Sequence, residues 1–216
     1  ILDKRIAADY EKGMKKKIIT GKEIVFASPG EAEAILEKHP FSHLIISGSS
    51  LSSLDSAPWD DELSMVISHF IEQNGAILGI CYGHQILAAY FLGKSCLKRM
   101  EHPEFGWNPV KLQNSILFKG VDSEIFCHIH YDSVAFLSSD FSVIAENEFG
   151  IQGFQYKSCR VFGLQFHPDF DFQQTITIFK ELRKTEPEFD KYLINREPDS
   201  NTDTDGAGIL TNFVTN

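Results

Sequence analysis

The sequence predicts an α/β domain, with a parallel sheet covered by helices on both faces in its first half and antiparallel hairpins added in its second. Three observations carry this expectation. Apolar runs without polar alternation, Ser42–Gly48 and Ala76–Ile80, are separated by a helical pattern, as strands buried on both faces require. The second half changes to short β-branched or aromatic segments punctuated by turn residues. The chain has 216 residues, 43% of them hydrophobic. A chain of that size can bury about 70% of its unfolded surface in one core.

Taken in order, KEIVFAS (Lys22–Ser28) reads as a strand and Pro29–His39 as a helix with acidic residues near its positive end. Ser42–Gly48 is the next strand, stopped by glycine. Pro58 stands where a helix can open without losing a hydrogen bond, and that helix runs to Gly75. Its Trp59, Leu63, Val66, Ile67, Phe70 and Ile71 recur with the 3.6 period and predict one core-facing stripe. Ala76–Ile80 is a strand, and a helix follows from Tyr82 to about Gly93. Segments 110–118, 124–130, 142–146, 151–156 and 160–166 read as hairpin strands, with turn signals at Lys119-Gly120 and Asn147–Gly150. A helix is expected over Phe172–Lys184. The polar, acidic stretch Arg196–Gly208 reads as a linker, after which Ile209–Val214 docks back on the same domain. Residues 1–216 are therefore expected to form a single domain.

Charge and composition narrow the function. A formal net charge of −10 opposes nucleic-acid binding, which rests on neutralising phosphates. The short basic run Lys15–Lys17 reads as a solvated face. No apolar run approaches the ~18 residues of a membrane span, and no signal-peptide pattern is visible. The cysteines at 81, 96, 127 and 159 lack CxxC spacing, so a reducing, cytoplasmic setting is expected. His128 and His130 in CHIH share a strand face, but no further ligand group with suitable spacing completes a metal shell, and no metal site is expected.

The chemistry concentrates in AILGICYGHQIL (Ala76–Leu87). Gly79-x-Cys81-x-Gly83 has the layout of a nucleophile elbow with sulfur in place of oxygen. The thiol would stand at a helix N-terminus, whose dipole favours the thiolate. The unpaired first N–H groups of that helix could receive an oxyanion. A cysteine nucleophile needs a base and an orienting group. VFGLQFHPDFD supplies His167 at a strand end and Asp169 two residues on, with Asp171 a second carboxylate.

These motifs together resemble class I glutamine amidotransferases of the triad type, in the branch similar to GMP synthase. GICYGHQIL is similar to the family's G-x-C-x-G-x-Q, and QFHPD to its Q-F-H-P-E. HLIISGSS resembles the loop that supplies the second oxyanion donor. HIHYDSV carries an H-x-D-x-V pattern that lies against bound glutamine in the family, and GILTNFV resembles the branch's closing segment. The resemblance runs from about Ile18 to the C-terminus. It implies a flavodoxin-like, three-layer fold with a mostly parallel sheet. It also implies a reaction in which Cys81 attacks the glutamine amide, His167 protonates the leaving ammonia, Asp169 orients His167, and water releases glutamate from a thioester. The oxyanion would lie between the backbone N–H of Tyr82 and one at Gly48 or Ser49. Gln85, His130, Tyr131 and Asp132 would hold the substrate, and no metal or organic cofactor is needed.

The sequence departs from the family pattern in three places. The loop is Ser47-Gly48-Ser49-Ser50 where paired glycines are usual; if it must flip a peptide, Ser49 costs on the order of 1 kcal/mol. Asp169 replaces the usual Glu and is one methylene shorter. No synthetase domain follows the motifs, so the expected partner is a separate acceptor enzyme. A stand-alone γ-glutamyl peptide hydrolase is the first alternative, and a catalytically weak binding or regulatory protein of the same fold is the second.

Overall fold

The computed structural model describes residues 14, 24–157, 160–194 and 206–216. Its main sheet begins with three parallel strands: β1 (His43–Ile46), β2 (Ala76–Ile80) and β8 (Val161–Leu164). It continues antiparallel through β7 (Gly150–Tyr156), β6 (Phe141–Asn147) and β4 (Lys111–Leu112), in the order β1-β2-β8-β7-β6-β4. Side chains alternate across a strand, so a sheet covered on both faces needs apolar residues at every position. Ala76, Leu78 and Ile80 meet the C-terminal helix (Gly206–Thr215) through Ile209, Leu210 and Phe213. Ile77 and Val161, on the other face, meet the helices α2 (Asp60–Glu72) and α3 (Tyr82–Leu92), while α1 (Pro29–Leu36) packs beside α2. The result is a three-layer α/β fold in which β2 ends beneath the first turn of α3.

Several expectations are corrected. Of the expected strand Lys22–Ser28, residues 22–23 lie outside the described ones and 24–28 are not strand, although Ile24 and Phe26 pack on the core. Only Lys111–Leu112 of segment 110–118 is strand, and Ile116–Phe118 is a 3₁₀ turn. Ile71 sits at the edge of its helical stripe and remains 36% exposed. Segment 160–166 leaves the ladder after Leu164, which lets His167 bridge to Cys127 instead.

The second half is also not a simple row of hairpins. β3 (Leu97–Pro109) and β5 (Ile125–Val134) form a separate three-stranded sheet with β9 (Leu193–Ile194), in the order β5-β3-β9. The sequence hides β3 because its first half is polar and exposed and contains Pro103, at a register shift between Arg99 and Glu104. The helix α4 (Phe172–Thr185) opens with a capping box, in which Asp171 accepts from the Gln174 N–H and Gln174 returns the bond. A four-residue helix α5 (Phe189–Tyr192) leads into β9. The C-terminal helix, α6 in chain order, starts at Gly206, so the last three residues of the expected linker are helical, and residues 196–205 lie outside the described ones. No described helix is long and apolar enough to cross a membrane.

Candidate active site

Cys81 joins β2 to α3 with φ 53° and ψ −105°. A non-glycine residue in that region is strained by about 1–2 kcal/mol and persists where its surroundings force it. Here the forcing is explicit. The Cys81 N–H donates to the Leu164 carbonyl at 2.8 Å, and the Cys81 carbonyl accepts the Gln85 N–H at 3.2 Å. A Cβ on Gly79 would run into the carbonyl of Gly83, and one on Gly83 into the carbonyl of Ile46. The two motif glycines thus let three backbone segments converge beneath the thiol. Cys81 itself is 5% exposed, and its Sγ donates to the Ile129 carbonyl of β5 at 3.6 Å.

His167 approaches from the end of β8. Its N–H donates to the Cys127 carbonyl at 2.8 Å, and its Nδ1 meets Asp169 Oδ1 at 3.0 Å. Phe170 stacks on the imidazole at 4.2 Å and 8°, which limits its rotation. The aspartate's shorter side chain does not lengthen the bond. Gly206 packs against the residue between His167 and Asp169: a Cβ there would strike the Pro168 carbonyl. Asp171 is occupied as the N-cap of α4. Burial works to lower the His167 pKa, but the charges of Asp169 and Cys81 and hydrogen bonds to both raise it to about 10.

That shift sets a stability window. A raised folded-state pKa stabilises fully below the unfolded value, and the contribution is lost as pH rises through the folded one. His167 therefore contributes fully below pH 6.5, and progressively less up to about pH 10. The Tm gap between wild type and Asp169→Asn should be widest at the acid end of that interval and narrow toward pH 10. Thermal melts across the interval check this, and a gap that widens with pH would contradict it.

The loop after β1 reaches the same point. An added Cβ on Gly48 would lie 2.9 Å from His167 Cε1 and 3.5 Å from Cys81 Cβ. Ser49 is not among the positive-φ residues, and its Oγ accepts the Leu51 N–H at 3.1 Å. The strain foreseen for a serine there is absent in this conformation. Tyr82 opens α3, and burial pushes the pKa of its hydroxyl up. What Tyr82 can offer the site is its backbone N–H.

The four expected substrate contacts are differently engaged. Gln85 Nε2 donates to the Asp132 carbonyl at 2.7 Å and to Gln165 Oε1 at 3.0 Å. His130 points at the Asp132 carbonyl and Glu104. The Tyr131 hydroxyl donates to Glu186 at 2.6 Å, and burial with this carboxylate raises its pKa. Asp132 accepts from Ser52 Oγ at 2.6 Å and from Arg99 Nε at 3.0 Å. These side chains fix β5 beside the thiol, and the backbone is what β5 presents to it.

Glu104 was missed by sequence reasoning, which placed no carboxylate near His128 and His130. The β3–β5 register sets it opposite His130, and ligand atoms of the three buried residues lie within 4.8 Å of one another. They could hold a cation only in competition with amides, because Glu104 already accepts from Asn108, Asn147 and Gln152. The signal that could have revealed Glu104 was its place in β3, obscured by the irregular stretch around Pro103.

A family model described as glutamine amidotransferase class-I matches residues 21–183. The chain is 37% identical over 117 residues to a glutamine-hydrolyzing GMP synthase subunit of Thermoplasma acidophilum, covering 53% of this chain and 58% of that one. It is 34% identical over 140 residues to the glutamine-hydrolyzing GMP synthase of Caldicellulosiruptor saccharolyticus, covering 63% and 26%. The chain thus spans little more than half of the first relative and about a quarter of the second. A solved Thermoplasma acidophilum structure, described as that of a GMP synthase subunit, superposes with a TM-score of 0.60 at 26% identity, covering 84% of this chain and 92% of that one. A glutamine amidotransferase of Thermotoga maritima gives 0.63 at 21% identity, with 82% and 79% covered, and shares the fold.

Proposed function

The chain belongs to the class I glutamine amidotransferase family, and from that premise we propose that it hydrolyses the side-chain amide of glutamine through a thioester on Cys81. The observation that carries the reading is the strained Cys81 elbow, with Gly48 beside both Cys81 and a His167 that Asp169 holds at 3.0 Å. With His167 held protonated beside Asp169, Cys81 attacks the amide carbon as the thiolate. The tetrahedral oxyanion is received by the Tyr82 N–H and a backbone N–H of Gly48 or Ser49. His167 gives its proton to the departing nitrogen, which leaves as ammonia. Water then attacks the thioester, losing a proton to His167, and glutamate leaves as Sγ is released. In this reading residues 1–216 act as one amidotransferase domain. The ammonia passes to a separate synthetase, as suggested by relatives whose amidotransferase is one subunit of a GMP synthase.

Ammonia and glutamate release from the purified chain tests the proposal, with Cys81→Ala as the blank. Glutamine turnover supports it. Turnover of γ-glutamyl peptides alone would replace the substrate, and inertness toward every γ-glutamyl amide would overturn catalysis by the chain alone. Because Ser49 rests without positive φ, the oxyanion loop is read as preformed. Ser49→Gly should then change kcat by less than ~10-fold, since the conformational cost at stake is about 1 kcal/mol. A silent wild type beside an active Ser49→Gly would show that the loop waits for a partner.

A further inference from the structure

Behind the catalytic pair lies a buried network that the reaction scheme does not use. Glu104, fully buried, has donors on both oxygens. Oε1 accepts from Asn108 Nδ2 at 2.9 Å and Asn147 Nδ2 at 2.7 Å, and lies 3.2 Å from His128 Nδ1. Oε2 accepts from Gln152 Nε2 at 3.0 Å and His130 Nε2 at 2.9 Å. Burial works to raise its pKa, and the two histidines outweigh burial and hold it below the usual carboxylate range. Glu104 and Asn108 lie on β3, His128 and His130 on β5, Asn147 on β6, and Gln152 on β7. One carboxylate therefore ties the three-stranded sheet to the six-stranded one.

The segment it ties is the one that touches the chemistry. His128 and His130 flank Ile129, whose carbonyl faces Cys81 Sγ. The Cys127 carbonyl holds the His167 N–H. His130 Nδ1 lies 3.1 Å from the Asp132 carbonyl, which also accepts the Gln85 amide of the elbow helix. The Asp132 carbonyl and Glu104 hold the His130 ring from its two nitrogens. A continuous set of bonds thus runs from Glu104 through His130 and Asp132 to α3.

We propose that Glu104 is a positioning residue of the catalytic centre: through His128 and His130 it sets the β5 backbone whose carbonyls hold Cys81, His167 and Gln85. An amide in its place has the same shape but presents an NH₂ to donors and cannot satisfy all of them. The misfit passes through the two histidines to β5, so the carbonyls that hold the reacting pair lose alignment. The inference rests on the proposed Cys81–His167 chemistry, but its test need not use the proposed substrate.

The experiment compares wild type with Glu104→Gln in two readouts. One is glutamine turnover normalised to folded protein. The other is the rate at which iodoacetamide alkylates the Cys81 peptide, followed by mass spectrometry. Glu104→Gln should lower kcat about tenfold with KM within twofold, and slow Cys81 alkylation by a similar factor at neutral pH. If wild type does not turn over glutamine, the substrate reading fails while the alkylation arm still decides the role of Glu104. Unchanged kcat and alkylation in a folded variant would overturn the proposal, as would a stoichiometric metal in the wild-type protein that Glu104→Gln loses. Should Glu104→Gln not fold, Gln152→Ala removes one donor and keeps the carboxylate. It should slow alkylation about threefold, and no change would again count against the proposal.

Discussion

Cys81→Ser should lower kcat at least ~10³-fold with the fold intact, because a hydroxyl is a far weaker nucleophile than a thiol where no base is matched to it. The elbow makes the substitution a clean one. Serine fills nearly the same space, and the positive φ of residue 81 is enforced by neighbours on either side rather than by sulfur. The hydrogen bond to the Ile129 carbonyl can be made by oxygen as well. Cys96, fully buried in the packing of α2 and α3, serves as the contrast. Cys96→Ala should leave kcat of the folded enzyme within about twofold, although it lowers Tm by opening a small cavity. Turnover of both variants, measured on protein whose folding has been checked by circular dichroism, separates a nucleophile from a packed thiol. Wild-type hydrolysis by Cys81→Ser would end the assignment.

The legibility of the site in the sequence followed how local each feature is. The elbow could be read because its requirements sit within a few residues: Gly79 and Gly83 are there because backbone passes where a Cβ would be. The parallel strands could be read because Ala76–Ile80 is apolar at every position, as burial on two faces demands. Glu104 could not, because its meeting with His128 and His130 depends on a register across β3 and β5 that passes through an irregularity between Arg99 and Glu104. The same non-local pairing turned His130, Tyr131 and Asp132 toward Glu104, Glu186 and Ser52, side chains distant in sequence. Gly206 gave no local signal either. Its role appears only where α6 meets the carbonyl of Pro168, between the base and its carboxylate.

Two carboxylates follow His167, and the structure divides their work in a way kinetics can read. Asp169, 1% exposed, sits 3.0 Å from His167 Nδ1, whereas Asp171 caps α4. Asp169→Asn should lower kcat about 10²-fold. An amide can offer its NH₂ to Nδ1 and stabilise the wrong tautomer, the effect that costs ~10⁴-fold when a serine needs the base. A thiol is more acidic than a hydroxyl and depends less on its base, so the smaller loss is expected. Asp171→Asn should leave kcat within about twofold, since asparagine caps a helix nearly as well as aspartate. Asp169→Glu adds a methylene to a buried side chain that already reaches Nδ1 at 3.0 Å, so it should cost activity rather than restore it. Steady-state rates for the three variants test the division. Equal losses from Asp169→Asn and Asp171→Asn would mean that His167 is oriented by the fold around it, and a larger loss from Asp171→Asn would transfer the orienting role to the cap.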